Sequence, residues 1–287
     1  MLLLATIKGW SLAQLHRQLS AYHLSYWRRL LKVRYHQVPA YSTLVDRARN
    51  ARVMIWQNRL YRRVLVGLLH QRNLGVLALD MTDLPRRVWD PLASWGFCGK
   101  GGFYGYKLHL VVAADGVPLA ATTTQARNRE TEVVPHLLRQ LHAQLRTKAL
   151  DGLRFAVADA AYDTHDVHAA FAQVHTQLIT PVNPRKYHWK LTWRTRRQLQ
   201  PQQRPRDRGI LLYHSRRGQK LHRKRRVVDY VFGQLKDQLR LKQMAWWIRG
   251  VRRVQIHIQW TILAYTAMLA TNKMRRCGLR KLAPYLA

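Results

Sequence analysis

The sequence predicts an α/β protein, in which a mixed sheet is flanked by helices and preceded by a basic helical region. Three observations support this class. Apolar residues recur every three to four positions from residue 1 to about 74, which is typical of helices. From Gly75 onward, short apolar or alternating runs end in turn residues, which is typical of strands. Helical patterns then alternate with these runs, an order that places helices against a sheet.

The N-terminal region reads as basic helices. Leu12, Leu15 and Leu19 repeat at helical spacing with Arg and His between them, and the pattern breaks at residues 38–42. A second helix is predicted to begin at Ser42, which would cap it. Two short basic helices around a turn permit a helix-turn-helix, the arrangement that places a helix in a DNA groove. An ordinary helical bundle with solvated arginines explains the same pattern, and both interpretations stay open.

The remaining elements follow in order along the chain. Strands are predicted at 75–82, 105–116, 117–125, 153–162 and 177–183, and helices at 130–145, from about 163, and at 225–242 and 251–272. Residues 186–224 are basic and broken by prolines, so they read as a loop or small insertion. We therefore predict three regions: a helical, DNA-binding region at 1–74, an α/β domain at 75–245 that contains the insertion, and C-terminal helices at 246–287 that pack on the core.

Composition indicates a polyanionic partner. Fifty Lys and Arg stand against 14 Asp and Glu, a formal net charge of +36, while 47% of residues are apolar and argue against a disordered basic tail. Nucleic acid is the first choice of partner, and an anionic membrane surface is the second. No membrane span is predicted, because the most apolar late stretch carries Gln255, His257 and Gln259. The two cysteines have no ligand or disulfide spacing, which fits a reducing cytosol.

Three aspartates stand out among the few acids. Asp80 and Asp159 close the apolar runs LALD and AVAD, and we expect their strands to be neighbours in the sheet. A carboxylate beside the core needs a partner. Polar side chains at the carboxyl ends of neighbouring strands meet in one crevice, where α/β folds place their sites. The other acids read as turn, cap or solvated residues; Asp163 and Asp166, for example, stand at a predicted helix start.

The third aspartate belongs to a helical stripe. The spacing of His222, Arg225, Asp229 and Lys236 puts them on one face of an α-helix. Asp229 would then face the same crevice as Asp80, and three carboxylates suit Mg²⁺ or Mn²⁺. Two such ions can activate a water and stabilise a leaving oxygen in phosphodiester displacement. The simpler alternative, an Asp229–Arg225 salt bridge on a surface helix, is favoured by the stripe alone, whereas the strand aspartates favour the metal.

The motifs around these residues resemble the DDE transposases of bacterial insertion sequences, in the group named after insertion sequences four and five. The similar blocks are ALDMTDLP, GYKLHLVV, ADAAYDT and HRKRRVVDYVFGQLK. The last block keeps the family spacing of Tyr, Arg, Glu and Lys, with His222 in place of Tyr and Asp229 in place of Glu. Weaker similarity in WSLAQLHRQL and VPAYSTLV extends the resemblance over most of the chain.

This resemblance implies an RNase H-like catalytic core and a transposase that cleaves and transfers DNA strands. Asp80, Asp159 and Asp229 would be the catalytic residues and would bind two Mg²⁺ or Mn²⁺ ions. The partners would be double-stranded DNA, as terminal inverted repeats and as target, and further copies of the chain on the DNA ends. The expected location is the bacterial cytoplasm, in association with the nucleoid. The Glu-to-Asp difference leaves a second hypothesis, a DNA-binding protein derived from a transposase with weak or no catalysis.

Further DNA contacts are expected around the site. His222, Arg225 and Lys236 would contact DNA from the helical stripe. Trp189 and Trp193 lie among basic residues in the insertion, a mixture that suits phosphate contact and base stacking. Hydrophobic anchoring of a loop explains them as well. Lys107, near a glycine-rich approach, is a candidate phosphate contact, although a flexible hairpin is an alternative interpretation of that segment.

Overall fold

The computed structural model describes residues 1–21, 37–50, 52–69, 74–99, 101–145, 152–183, 192–244, 248–276 and 278. The described α-helices are α1 Leu2–Lys8, α2 Leu12–Ser20, α3 Tyr41–Arg49, α4 Arg52–Leu69, α5 Val134–Gln144, α6 His165–Gln173, α7 Trp193–Gln198, α8 Pro205–Tyr213, α9 Arg216–His222, α10 Arg226–Gly233 and α11 Val251–Met274. The strands are β1 Val76–Pro85, β2 Ser94–Cys98, β3 Gly101–Ala113, β4 Pro118–Gln125, β5 Phe155–Val157 and β6 Gln177–Ile179. Short 3₁₀ helices span Glu130–Val133, Ala160–Tyr162 and Arg223–Arg225, and a π-helical turn spans Gln234–Gln238.

The chain divides into two compact units, Met1–Leu68 with Gln234–Ala287, and Leu69–Gly233. The first unit is helical. Its core includes Ala5, Leu15, Leu19 and Leu44, which come from α1, α2 and α3. Lys273 of α11 donates from Nζ to the last carbonyls of α4, a favourable place for a cation because the helix dipole is negative there. The predicted boundaries at 74 and 245 stay predictions.

The second unit contains the mixed sheet. β3 pairs antiparallel with β1, β2 and β4, whereas β1, β5 and β6 run parallel, giving the order β2-β3-β1-β5-β6 with β4 beside β3. The buried positions of β1 and β3 are mostly Leu, Val and Ala. Helix α5 packs on β4, α8 packs on β6, and α10 packs on β1 and β3. The predicted α/β class, a mixed sheet with flanking helices, is therefore confirmed, and the arrangement is consistent with the expected RNase H-like fold.

Several element predictions need correction. β1 continues beyond its predicted end at 82 to Pro85, because β3 provides pairing partners from Leu77 to Pro85. β2 was missed, and β5 has only three residues. The segment expected to be a loop at 186–224 carries α7, α8 and α9 within its described part, since Thr192 and Ser215 cap two of these helices. Within the described residues, no helix is long and apolar enough to cross a membrane.

Candidate active site

Asp80 and Asp159 occupy matching positions on adjacent parallel strands. β1 and β5 pair with Ala78 opposite Val157, and both aspartates follow two residues later. This register places the two carboxyl-bearing residues side by side. The expectation that these strands are neighbours is confirmed. Asp159 lies just beyond β5 and caps a 3₁₀ turn, its Oδ1 accepting a hydrogen bond of 2.9 Å from the Ala161 amide.

The carboxyl group of Asp80 is costly to ionise. Its side chain is 11% exposed, and its Oδ1 accepts a hydrogen bond of 2.7 Å from the Met81 amide. Burial and the negative charge of Asp159 raise the pKa of Asp80 from 3.8 to about 7, even though the Arg225 guanidinium opposes the rise. Asp229 adds to the increase. The surroundings of Asp80 therefore hold too little positive charge to stabilise its ionised carboxylate fully at neutral pH.

Asp159 lies in the same electrostatic environment. Burial raises its pKa, while the Ala161 amide and the Arg225 charge act in the opposite direction. The Glu130 carboxylate contributes to the rise. Two carboxyl groups with raised pKa values at matching positions of adjacent parallel strands form the pattern of a functional site.

Arg225 pairs with both Asp80 of β1 and Asp229 of α10. Its Nη1 donates to Asp80 Oδ2 from the 3₁₀ turn before α10, and its Nη2 lies 3.6 Å from Asp229 Oδ2. Asp229 has a side chain that is 53% exposed. The Asp229–Arg225 ion pair of the simpler interpretation is therefore present, and the metal interpretation of Asp229 stays a prediction.

The helix that carries the stripe is irregular. His222 ends α9, Arg225 ends a 3₁₀ turn, and Asp229 lies in α10, so the predicted single α-helix at 225–242 is wrong. His222 Nε2 donates a hydrogen bond of 3.0 Å to the carbonyl of Ala158, the residue before Asp159. Burial lowers the pKa of His222, so the ring is neutral at pH 7. His222 thereby ties the helix to the end of β5.

Glu130 was not predicted to be a site residue, because its position at a predicted helix start was sufficient to account for an acidic residue there. It begins the 3₁₀ helix after β4, and its Oε1 accepts a hydrogen bond of 2.8 Å from Lys107 Nζ. Burial alone would raise the pKa of Glu130, but the Lys107 hydrogen bond and charge bring it below its ordinary value. Lys107 is 5% exposed and also donates to the Asn128 carbonyl, and its predicted phosphate contact stays a prediction. No periodicity signal could have paired residues 23 positions apart.

The sequence matches the family described as Transposase DDE domain over residues 72–267. The chain belongs to this family. Among solved structures, a cryo-EM structure of the piggyBac transposase synaptic complex with hairpin DNA matches with a TM-score of 0.48 and 10% identity, over 99% of this chain and 67% of that chain. No curated protein sequence matches. The narrower assignment to the group named after insertion sequences four and five stays a prediction.

DDE transposases generally use divalent metal ions, and the donor set of this chain fits such an ion on one condition. Carboxylate oxygens are the ligands that Mg²⁺ and Mn²⁺ prefer. In the described residues, however, no three His, Cys, Asp or Glu side chains are placed to hold a metal. The guanidinium of Arg225 is the cation between Asp80 and Asp229 in this structure. A metal ion at these aspartates would require Arg225 to move away from Asp80.

The other predicted contacts are placed as follows. Trp193 begins α7 and is 64% exposed, with the guanidinium groups of Arg194 and Arg197 each 5.3 Å from its ring centroid. This surface is compatible with nucleic acid, and the DNA contact stays a prediction. Trp189 lies outside the described residues. Lys236 lies in the π-helical turn, in the compact unit that does not hold Asp80, and its role also stays a prediction.

Asp163 has a structural role that differs from the predicted helix cap. Thr164 caps α6 instead. Asp163 accepts two hydrogen bonds from Arg206, of 2.8 and 2.7 Å, and one of 3.0 Å from the Asn183 amide. Its side chain is fully buried, and His168 Nε2 lies 3.4 Å away. These interactions join α6 to α8 beside the sheet.

Proposed function

We propose that the chain is a transposase that cleaves and transfers DNA strands at the ends of a mobile element, with Asp80, Asp159 and Asp229 as its catalytic carboxylates. One observation carries the proposal: the β1–β5 register puts Asp80 and Asp159 at matching positions, within a chain of the DDE family. The raised pKa of Asp80 adds support, because the site favours a cation. Family membership alone would leave these roles unassigned.

The residues of the chain have separable tasks. Asp80 and Asp159 would hold Mg²⁺ or Mn²⁺, and Asp229 would complete the set from α10. Bound there, two ions supply Lewis-acid stabilisation of the attacking and leaving oxygens of a phosphodiester. Arg225, released from Asp80, would be free to contact a phosphate of the DNA with its fork of donors. His222 would keep α9 positioned against β5 through the Ala158 carbonyl.

The partners follow from charge and chemistry. A net charge of +36 favours DNA as the polyanion, both as the terminal inverted repeats and as target. Assembly of several copies across two DNA ends is part of the same proposal. Strand transfer requires the two DNA ends to be held together, and the active site of one copy cannot hold both ends.

The test is cleavage of a labelled duplex that spans the end of the element encoding the chain, with Mg²⁺ or Mn²⁺ or with EDTA. We expect nicking at the end that requires the metal and that Asp80→Asn abolishes. Asp115→Asn is the matched control: it removes a charge from a turn of the same unit and keeps the oxygen that accepts from the Val117 amide. Metal-dependent nicking that persists in Asp80→Asn would reject the assignment of Asp80.

A second candidate function is DNA binding with little or no catalysis. The half-exposed Asp229, bridged to Asp80 through Arg225, favours it, because a carboxylate one methylene shorter than Glu reaches less far toward a metal. Asp229→Glu separates the two. If the native chain binds the duplex without cutting and Asp229→Glu cuts, the second function is correct. If the native chain cuts as well as the variant, Asp229 serves as the third carboxylate.

A further inference from the structure

A row of side chains crosses three strands at the far end of β1. Pro85 pairs with Gly105, and the next residue, Arg86, donates its amide to the Tyr104 carbonyl at 2.8 Å. On its other side, Tyr104 pairs with Trp95 of β2. Residues directly opposite in an antiparallel pair share one face of the sheet. Arg86, Tyr104 and Trp95 therefore form one cross-strand row.

Aromatic rings on this row are open to solvent. Trp95 is 71% exposed, and its ring centroid lies 5.8 Å from that of Tyr104. Trp89, also 71% exposed, lies parallel to the Tyr104 ring, with an interplanar angle of 4° and a centroid separation of 5.8 Å. Phe97 is two residues beyond Trp95 and is 79% exposed. Such a group of flat, exposed rings is unusual on a surface that has no binding role.

The rings are held in place by buried polar contacts. Asp90, next to Trp89, is fully buried, and its Oδ2 accepts a hydrogen bond of 2.7 Å from the Tyr106 hydroxyl. Its Oδ1 accepts from the Leu92 amide at 3.1 Å, and the Tyr104 hydroxyl donates to its carbonyl. These bonds fix the connection between β1 and β2. The Trp89 side chain therefore loses little conformational entropy when a ligand binds to it.

A cationic group without a partner lies in the same row. Arg86 is 9% exposed, and within the described residues neither Nε nor Nη2 of its guanidinium has a hydrogen-bond partner. A buried charge without a partner is costly, and an anion would relieve the cost. Arg87 follows Arg86 and is exposed, and the exposed Arg127 and Arg129 follow β4, where the Arg127 amide donates to Ser94 Oγ of β2 at 2.9 Å. The surroundings are positively charged.

We propose that Trp89, Tyr104 and Trp95 form a stacking platform for unpaired bases of a DNA strand, and that the Arg86 side chain turns outward to bind a neighbouring phosphate. Aromatic rings beside cationic groups are the usual means of binding single strands, because every base has a face that stacks. A second copy of the chain is a poorer occupant, because two copies with a charge of +36 repel each other when no DNA lies between them.

The platform is separate from the candidate active site. Pro85 lies five positions after Asp80 on β1, which is roughly 17 Å at about 3.4 Å per residue. That length corresponds to about five stacked bases along one strand. The platform would therefore hold the strand some nucleotides away from the reacting phosphate. The inference rests on the proposed function for the identity of the polyanion as DNA.

Binding to a fluorescein-labelled oligothymidine, in EDTA and with the full chain, tests the platform without any need for cleavage. We expect Trp95→Leu and Trp89→Leu each to weaken oligothymidine binding about fivefold or more, and duplex binding much less. Trp95→Phe is the matched variant, because it keeps a ring and should stay within about twofold of the native chain. Leu92→Ala, at an exposed apolar neighbour, should leave binding unchanged.

Three results would overturn the proposal. The first is unchanged oligothymidine affinity in Trp95→Leu and Trp89→Leu. The second is an equal loss in Trp95→Phe and Trp95→Leu, which would show that an aromatic ring at this position does not preserve binding. The third is self-association that Trp95→Leu abolishes while oligothymidine affinity stays native, which would make the patch a contact between copies. Since the assay contains no metal, loss of the platform and failure of the Asp80→Asn cleavage test are distinguishable.

The guanidinium has its own test. Arg86→Gln should lower the slope of the logarithm of oligothymidine affinity against the logarithm of salt concentration by about 0.7, the value for one phosphate on a single strand. Thermal unfolding checks that this variant folds. An unchanged slope in a folded Arg86→Gln would remove Arg86 from the platform, and the two tryptophan variants test the stacking independently of it.

Discussion

Replacing Asp80 with Asn is expected to stabilise the chain in the absence of metal. Burial and the neighbouring carboxylates raise the pKa of Asp80 from 3.8 to about 7, so the folded state binds its proton more tightly than the unfolded state does. At 1.36 kcal/mol for each pKa unit, the rise corresponds to about 4 kcal/mol of stability lost by ionisation. Asparagine carries no charge but still buries a polar amide, so we expect a gain of about 2 to 4 kcal/mol.

The pH dependence follows from the direction of the shift. Below about pH 4 the carboxyl is protonated in both states and costs nothing. The penalty grows as pH rises toward 7 and is complete above it. The native chain should therefore lose stability relative to Asp80→Asn between about pH 4 and 7, and the difference should be largest at pH 8. For a unit of this size, about 2 to 4 kcal/mol shifts the unfolding midpoint by about 4 to 15 °C.

Thermal unfolding in EDTA, at steps from pH 5 to pH 8, measures this difference. Asp115→Asn controls for the loss of one negative charge from the same unit. Addition of Mg²⁺ or Mn²⁺ should raise the midpoint of the native chain and have much less effect on Asp80→Asn, because a ligand that binds the folded state stabilises it. An Asp80→Asn midpoint at pH 8 that equals or falls below the native value would refute the electrostatic account of the site. So would a difference that does not shrink at pH 5.

Two further predictions concern the scaffold. Asp163→Asn should lower the free energy of unfolding at neutral pH by about 3 to 5 kcal/mol, because it leaves Arg206 without its buried partner. The His168 and Arg206 hydrogen bonds hold the pKa of Asp163 below its ordinary value against the effect of burial, so this loss should disappear as pH falls through the acid range. A loss that is unchanged at low pH would contradict the reasoning. Gly209→Ala should destabilise by about 1 to 3 kcal/mol, because its Cβ would lie 2.6 Å from His168 Cε1. Gly233→Ala, with open space around the new methyl, is the control in the same chemical-denaturation assay and should be neutral or stabilising.

The strand aspartates were predictable from the sequence. Asp80 and Asp159 each follow a run of apolar residues, and a carboxylate beside a buried run needs either a partner or a function. The alternation of strands and helices also predicted that their strands would be neighbours, which the register confirms. Local patterns succeed here because burial of a strand depends on the residues of that strand.

The roles of other polar residues depended on partners far along the chain. Glu130 and Asp163 both look like helix-start residues, yet the first pairs with Lys107 and the second with Arg206. The same applies to Arg86, which reads as one more surface arginine and is in fact buried. Sequence spacing describes one element at a time, whereas an ion pair between elements arises only when the sheet is assembled.

Composition and local pattern thus determined the basic character of the chain, its α/β class and the two strand carboxylates, because charge and burial periodicity are properties of the residues themselves. The tertiary structure alone decided that Arg225 also pairs with Asp80, and that Arg86, Tyr104 and Trp95 share one face. The physical reason is that both arrangements bring together side chains from different elements, and only strand register and helix packing set the distances between them.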